Sequence, residues 1–210
     1  MIDSATLPLY LAAVALIMLT PGPDMLLVTT TAAYQGFRSS LYMALGIALS
    51  RSTHVALSGA GIAALLATSP QAFEVMRYAG ALYMLWLAWQ SLYGGAAQQQ
   101  RSNVKARFWP CFRKGLITNL LNPKALVFCS LFLPQFIAPQ QGNLPGQFLV
   151  LGSILVGSGL ALDMLYAWGA ARLGRRLGEN SRTQGPKWIQ STLFTGLALR
   201  LILMENGVAG

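Results

Sequence analysis

The chain has 210 residues, of which 54% are hydrophobic and only 10% charged, with a mean hydropathy of +0.50. A soluble domain carries roughly 25% charged residues, so this composition argues against a soluble globular protein and predicts a single-domain, all-α membrane protein. The net charge of +9 is read as cytoplasmic loops facing anionic headgroups, not as a nucleic-acid footprint.

The first apolar segment runs from Leu7 to about Thr31. No basic residue precedes it, and its middle holds Thr20-Pro21-Gly22-Pro23-Asp24, so a retained membrane helix is expected and not a cleaved signal peptide. Two prolines remove backbone donors and clash with the preceding turn, and the glycine allows close backbone approach, so the helix must kink or break there. Gly36, Phe37 and Arg38 link to a second segment, about Ser39 to Ala67, in which Gly46, Gly59 and Gly61 let helices approach closely. Arg51 and His54 lie three residues apart on one face of it. Thr68-Ser69-Pro70 leads into a third segment, about Ala72 to Tyr93, whose Trp86, Trp89 and Tyr93 fit an interfacial belt. The polar run from Gly94 to Arg107 reads as a flexible loop. The fourth segment, about Phe112 to Phe136, is interrupted by Asn122-Pro123-Lys124, and Pro139 to Pro145 reads as an uncharged loop. The fifth, about Gln147 to Ala171, holds Gly152, Gly157, Gly159 and a buried-looking Asp163. A basic loop with Arg172, Arg175, Arg176, Arg182 and Lys187 precedes the sixth, about Trp188 to Met204, which at roughly 17 residues is near the minimum for a span.

Basic residues follow segments one, three and five and are nearly absent after two and four. Basic loops stay cytoplasmic, so six spans place both termini on the periplasmic side. Aligning Pro23 with Pro123 sets Pro-Asp-Met-Leu-Leu-Val against Pro-Lys-Ala-Leu-Val-Phe, with Asp24 opposite Lys124. Each break falls in the first helix of a three-helix half. An odd number of spans per half inverts the second half, and interrupted helices meeting near the midplane are a recurring transporter design. The expected architecture is therefore six transmembrane helices in two inverted three-helix repeats. Repeat 1 covers about 5–93, a cytoplasmic loop about 94–111 and repeat 2 about 112–208.

An intramembrane charge costs on the order of 3 kcal/mol and is functional by default. Asp24 suits the ammonium of a zwitterionic amino acid and Lys124 its carboxylate; the alternative is that the two only pair with each other. The candidate substrate site is Pro21, Gly22, Pro23, Asp24, Asn122, Pro123 and Lys124. Asp163 is a candidate proton carrier and His54 a candidate relay, against packing roles for both. Arg51 could compensate either Asp163 or Asp24. Cys111 and Cys129 would lie about 27 Å apart along one helix, too far for a disulfide, which argues against a thiol redox carrier. No HExxH, GxSxG or paired-aspartate motif suggests an enzyme, and one histidine with six acids argues against a metal path. No cofactor or resident metal is expected. A channel or facilitator, or an exporter of another small solute or metal cation, is the nearer alternative.

TPGPDMLLV in the first span, Gly46 and His54 in the second, AGALYMLWLAW in the third, and NLLNPKALVF followed by LPQF in the fourth resemble the LysE/RhtB amino-acid exporters, in particular the homoserine/threonine-resistance branch. Gly196 to Arg200 fits the closing pattern. Arg51 departs from the small or apolar residue the resemblance would place there. The resemblance spans nearly the whole chain. It implies a bacterial inner-membrane exporter of small neutral amino acids such as homoserine, threonine or leucine, driven by the proton motive force, embedded in lipid and forming a homo-oligomer.

Overall fold

The computed structural model describes residues 6–61, 70–93, 106–138, 140, 142–178 and 185–203. Every regular element among them is helical. The first apolar segment is two helices, α1 (Thr6–Leu19) and α2 (Pro23–Gln35), which meet at 56°. The break sits where the prolines fall. Gly22 is fully extended, and Pro23 opens α2 at a position whose N–H would have no helical partner anyway. The interruption is short: Thr20 still donates to Leu16 and Leu26 to Gly22.

The fourth segment repeats this design. Helix α5 (Phe108–Leu120) and helix α6 (Pro123–Val127) belong to a pair bent by 57°. Asn122 caps α6, its side chain accepting from the Lys124 amide at 3.1 Å. Beyond α6 the chain passes into a π turn (Phe128–Phe132) and a 3₁₀ turn (Leu133–Phe136). The remaining helices are α3 (Phe37–Gly59), α4 (Pro70–Tyr93), α7 (Leu144–Gly178) and α8 (Gly185–Leu203). Among the described residues, Leu144–Arg175 is long and apolar enough to cross a membrane alone, and the two bent pairs qualify when each is taken as one span. That makes three such spans where six are expected. Helix α3 packs on α2, α5 and α7, so much of its surface meets protein, and a helix so placed has no need to be apolar all round.

Several boundaries differ from the sequence reading. The link before α3 is Gly36 alone, at φ +87°, because Phe37 and Arg38 already belong to the helix. Helix α7 runs for 35 residues, so Arg172, Arg175 and Arg176 lie on its last turns and not in a loop. Lys187 likewise belongs to α8. Pro145 is in α7, whose first turn is capped by the Asn143 side chain accepting from the Gly146 amide at 3.2 Å. The Thr68-Ser69 link, Arg182 and most of the polar run from Gly94 lie outside the described residues.

Close approach is concentrated at particular glycines. Gly46 of α3 lies against the Phe112 backbone and Gly115 of α5 against the Met43 backbone, so each helix gives up a side chain where the other's main chain passes. Gly152 meets Val55, and Gly174 meets the Ala33 backbone. Gly61, expected at a helix contact, instead follows the end of α3 at φ +74° with no neighbour within 4 Å of a Cβ position, and Gly157 of α7 is equally open. Tyr10 anchors α1, donating to the Leu151 carbonyl at 2.7 Å. Helix α4 packs chiefly on α8, through Ala81, Met84 and Leu87 on one side and Phe194 and Ala198 on the other.

Candidate functional site

The two breaks meet. Lys124, one residue into α6, donates to the Thr20 carbonyl at 2.6 Å, and so reaches the end of α1. Asp24, one residue into α2, accepts on Oδ2 from Asn119 in the last turn of α5 at 2.7 Å and from Asn122, the cap of α6, at 3.2 Å. Each charged residue therefore reaches across to the opposite interruption. A cation beside carbonyls left over at a helix C-terminus, and a carboxylate in the first turn of a helix, are both favoured by the helix dipole. Asp24 and Lys124 both line one pocket.

Arg51 enters from α3. Its Nη1 donates to Asp163 of α7 at 2.8 Å, and its Nη2 stands 3.9 Å from Asp24 Oδ2. It thus compensates both acids that the sequence reading left as alternatives. Both residues of the shorter pair are buried, at 5% exposure for Arg51 and 4% for Asp163. Asp24 Oδ1 is buried and has no hydrogen-bond partner among the described residues. A buried carboxylate oxygen is costly to leave unmatched, so this atom is where a ligand donor would gain most.

The cavity between these groups measures about 60 Å³, on a scale where a single water needs about 10–15 Å³. Its polar wall is Thr20, Asp24, Arg51, Asn119, Lys124 and Asp163. Ile17, Met18, Phe128, Leu155 and Leu162 form an apolar side. Of the sequence-predicted residues, Gly22, Asp24, Asn122, Lys124, Arg51 and Asp163 converge here. Pro21, Pro23 and Pro123 do not line the cavity; they set the backbone that carries the residues that do. His54 is set back from it. It is 1% exposed, and its Nε2 donates to the Asn119 carbonyl at 3.3 Å.

Sequence reasoning missed Asn119, Thr20, Tyr166 and Gly159. Asn119 had a signal: it stands three residues before Asn122, on the same face of an apolar segment. Thr20 contributes through its carbonyl, which no side-chain pattern announces. Gly159 matters because a Cβ there would run into the Arg51 guanidinium, so the glycine makes the space in which Arg51 lies. Among the described residues no group of three or more His, Cys, Asp or Glu could hold a metal ion. Cys111 and Cys129 are both free and buried.

Apolar helices, two proline-interrupted segments and a polar pocket between them define a multi-pass helical membrane protein. The chain belongs to the LysE type translocator family, which matches residues 15–205. It is 32% identical over 190 residues to a homoserine/homoserine lactone efflux protein of Salmonella typhimurium, covering 87% of this chain and 85% of that one. It is 32% identical over 148 residues to a leucine efflux protein of Enterobacter sp., covering 70% of each chain. A membrane protein of Vibrio cholerae is 32% identical over 186 residues, covering 88% of each. No solved structure matches the chain.

Proposed function

We propose that this protein exports small neutral amino acids, homoserine-, threonine- or leucine-like, from the cytoplasm across the bacterial inner membrane, coupled to proton entry. One observation carries the reading. A carboxylate with a buried, unmatched oxygen (Asp24) and an ammonium (Lys124) line the same pocket, each positioned by a broken helix. A zwitterion matches that wall with its ammonium on Asp24 and its carboxylate toward Lys124. The apolar wall accepts an uncharged side chain. The efflux proteins this chain resembles, named for homoserine and leucine, support the substrate class. Asp163, paired with Arg51 at the edge of the same pocket, is the group assigned to carry the proton.

The architecture that goes with this function is six spans in two inverted repeats with both termini periplasmic. The equal bends at Pro23 and Pro123, and the reciprocal reach of Asp24 and Lys124, support it.

The test is efflux of preloaded labelled amino acids from cells, with and without a protonophore. Asp24→Asn and Lys124→Met are each expected to insert normally and to abolish efflux, because each removes a charge that the zwitterion is proposed to meet. Wild-type efflux that is unchanged when the proton gradient collapses would replace the exporter with a facilitator or channel.

A further inference from the structure

Arg51 has one guanidinium and two carboxylates to serve. Nη1 holds Asp163 in a hydrogen-bonded ion pair at 2.8 Å, while Nη2 is 3.9 Å from Asp24, beyond hydrogen-bonding range. A shift of about 1 Å would turn the second contact into a hydrogen bond. The guanidinium lies against Gly159, which presents no side chain to it, and borders the cavity that Asp24 and Asp163 also line. The other charged or titratable groups around it are Lys124 on α6, Cys129 on the π turn and Tyr166 on α7, all lining the same pocket, with His54 one turn along α3. None of these supplies a third carboxylate, so among the described residues Asp24 and Asp163 compete for Arg51.

From this arrangement we infer that Arg51 is a tethered competitor for the substrate's ammonium, and that its transfer between Asp163 and Asp24 makes proton and amino acid bind in alternation. The inference rests on the amino-acid export reading above and assigns the coupling element within it. With Asp163 ionised, Arg51 is held on α7 and Asp24 is open to an ammonium. When Asp163 takes a proton from water on the periplasmic side, its pull on Arg51 is lost. Arg51 then closes on Asp24 and expels the ammonium outward. Release of that proton to the cytoplasm returns Arg51 to Asp163 and reopens Asp24. Ligands that exclude one another in this way exchange in opposite directions, which is what proton-driven export requires. The charges balance accordingly. Asp24, Asp163, Arg51 and Lys124 sum to zero with the zwitterion bound and to plus one with the proton bound, so each cycle moves one positive charge inward.

The test uses the full-length protein in proteoliposomes with labelled L-leucine and L-homoserine as probes. Two readouts are taken: counterflow exchange, which needs no proton, and uptake driven by an imposed pH gradient. Asp163→Asn frees Arg51 to occupy Asp24, so both readouts should fall about tenfold or more, a coupling within the usual range for linked sites. Arg51→Gln combined with Asp163→Asn removes the competitor with its partner. It should restore counterflow to near wild-type while the pH gradient drives nothing. A double variant as inactive as the single one, or one still driven by the gradient, would overturn the inference; if the single variant fails to fold, the charge-neutral double variant still decides. A substrate-free measurement separates the inference from the export reading. A crystal structure of Asp163→Asn should show Arg51 hydrogen-bonded to Asp24. Arg51 remaining at its present distance from Asp24 refutes the competitor whatever the protein carries. Wild-type protein that exchanges no amino acid refutes the export reading while leaving that structural result standing.

Discussion

Gly159 controls where the Arg51 guanidinium can sit. An alanine methyl there would displace the far end of a flexible arginine, which can yield, and no backbone stands in its way. Gly159→Ala is therefore expected to leave insertion intact and to lower stability by about 1–3 kcal/mol, because the methyl presses on a buried ion pair. It should also impair proton-driven efflux, because the Arg51–Asp163 contact loses its room. Thermal unfolding in detergent and the efflux assay together check this, and unchanged stability with normal transport would contradict it. At this scale the sequence was informative about charge and silent about direction. Asp24, Lys124, Arg51 and Asp163 stand out because an ionisable group in an apolar segment is rare. Which acid Arg51 serves depends on how α3 packs against α2 and α7, and no spacing along one helix encodes that.

Elements were legible where a residue forbids the alternative. The interruptions at Pro21-Gly22-Pro23 and at Pro123 follow from missing donors and ring clashes, and both appear, with nearly equal bends. Replacing Pro21, Pro23 and Pro123 together with alanine should straighten both segments, keep insertion and abolish efflux; normal efflux would show that the breaks are incidental. Helix ends were less legible, since arginine is as compatible with the last turns of α7 as with a loop. Glycines were read only as a class, and their partners lie on other helices. Gly46→Ala places a methyl against the Phe112 main chain, which cannot swing away, and should destabilise by about 1–3 kcal/mol. Gly157→Ala, with no neighbour within 4 Å, is the matched control and should be close to neutral in the same unfolding measurement.

On the scale of the whole molecule, the cations collect at one end. Tyr42 packs edge-on against Phe108, Gly115 lies on Met43 and Gly174 on Ala33, which brings the start of α3, the start of α5 and the end of α7 together. Arg38, Arg107, Arg113, Lys114, Arg172 and Arg175 belong to that end. The acids among the described residues are Asp24 and Asp163 in the pocket and Glu74 near the start of α4. In the orientation proposed above, this basic end is the cytoplasmic one. Reporter fusions at Gln99, Gln141 and Arg182 are expected to read cytoplasmic, periplasmic and cytoplasmic, and a periplasmic signal at Gln99 would reverse the orientation and undo the inverted-repeat architecture.

The pairing of α4 with α8 has a consequence for how the protein is made. Helix α4 ends at Tyr93, and the partner that covers Ala81, Met84 and Leu87 is complete only at Leu203. At a synthesis rate of about 5–20 residues per second, α4 waits roughly 5–20 s beside the ribosome before its partner exists. The N-terminal half is therefore expected to leave that face of α4 uncovered on its own. During that interval its uncovered face is open to lipid, to an insertion chaperone or to the same face of a neighbouring nascent chain. Stop codons placed before Gly185 should yield chains that insert yet are degraded faster than the full-length protein, and co-expression of the missing α8 as a separate segment should slow that loss.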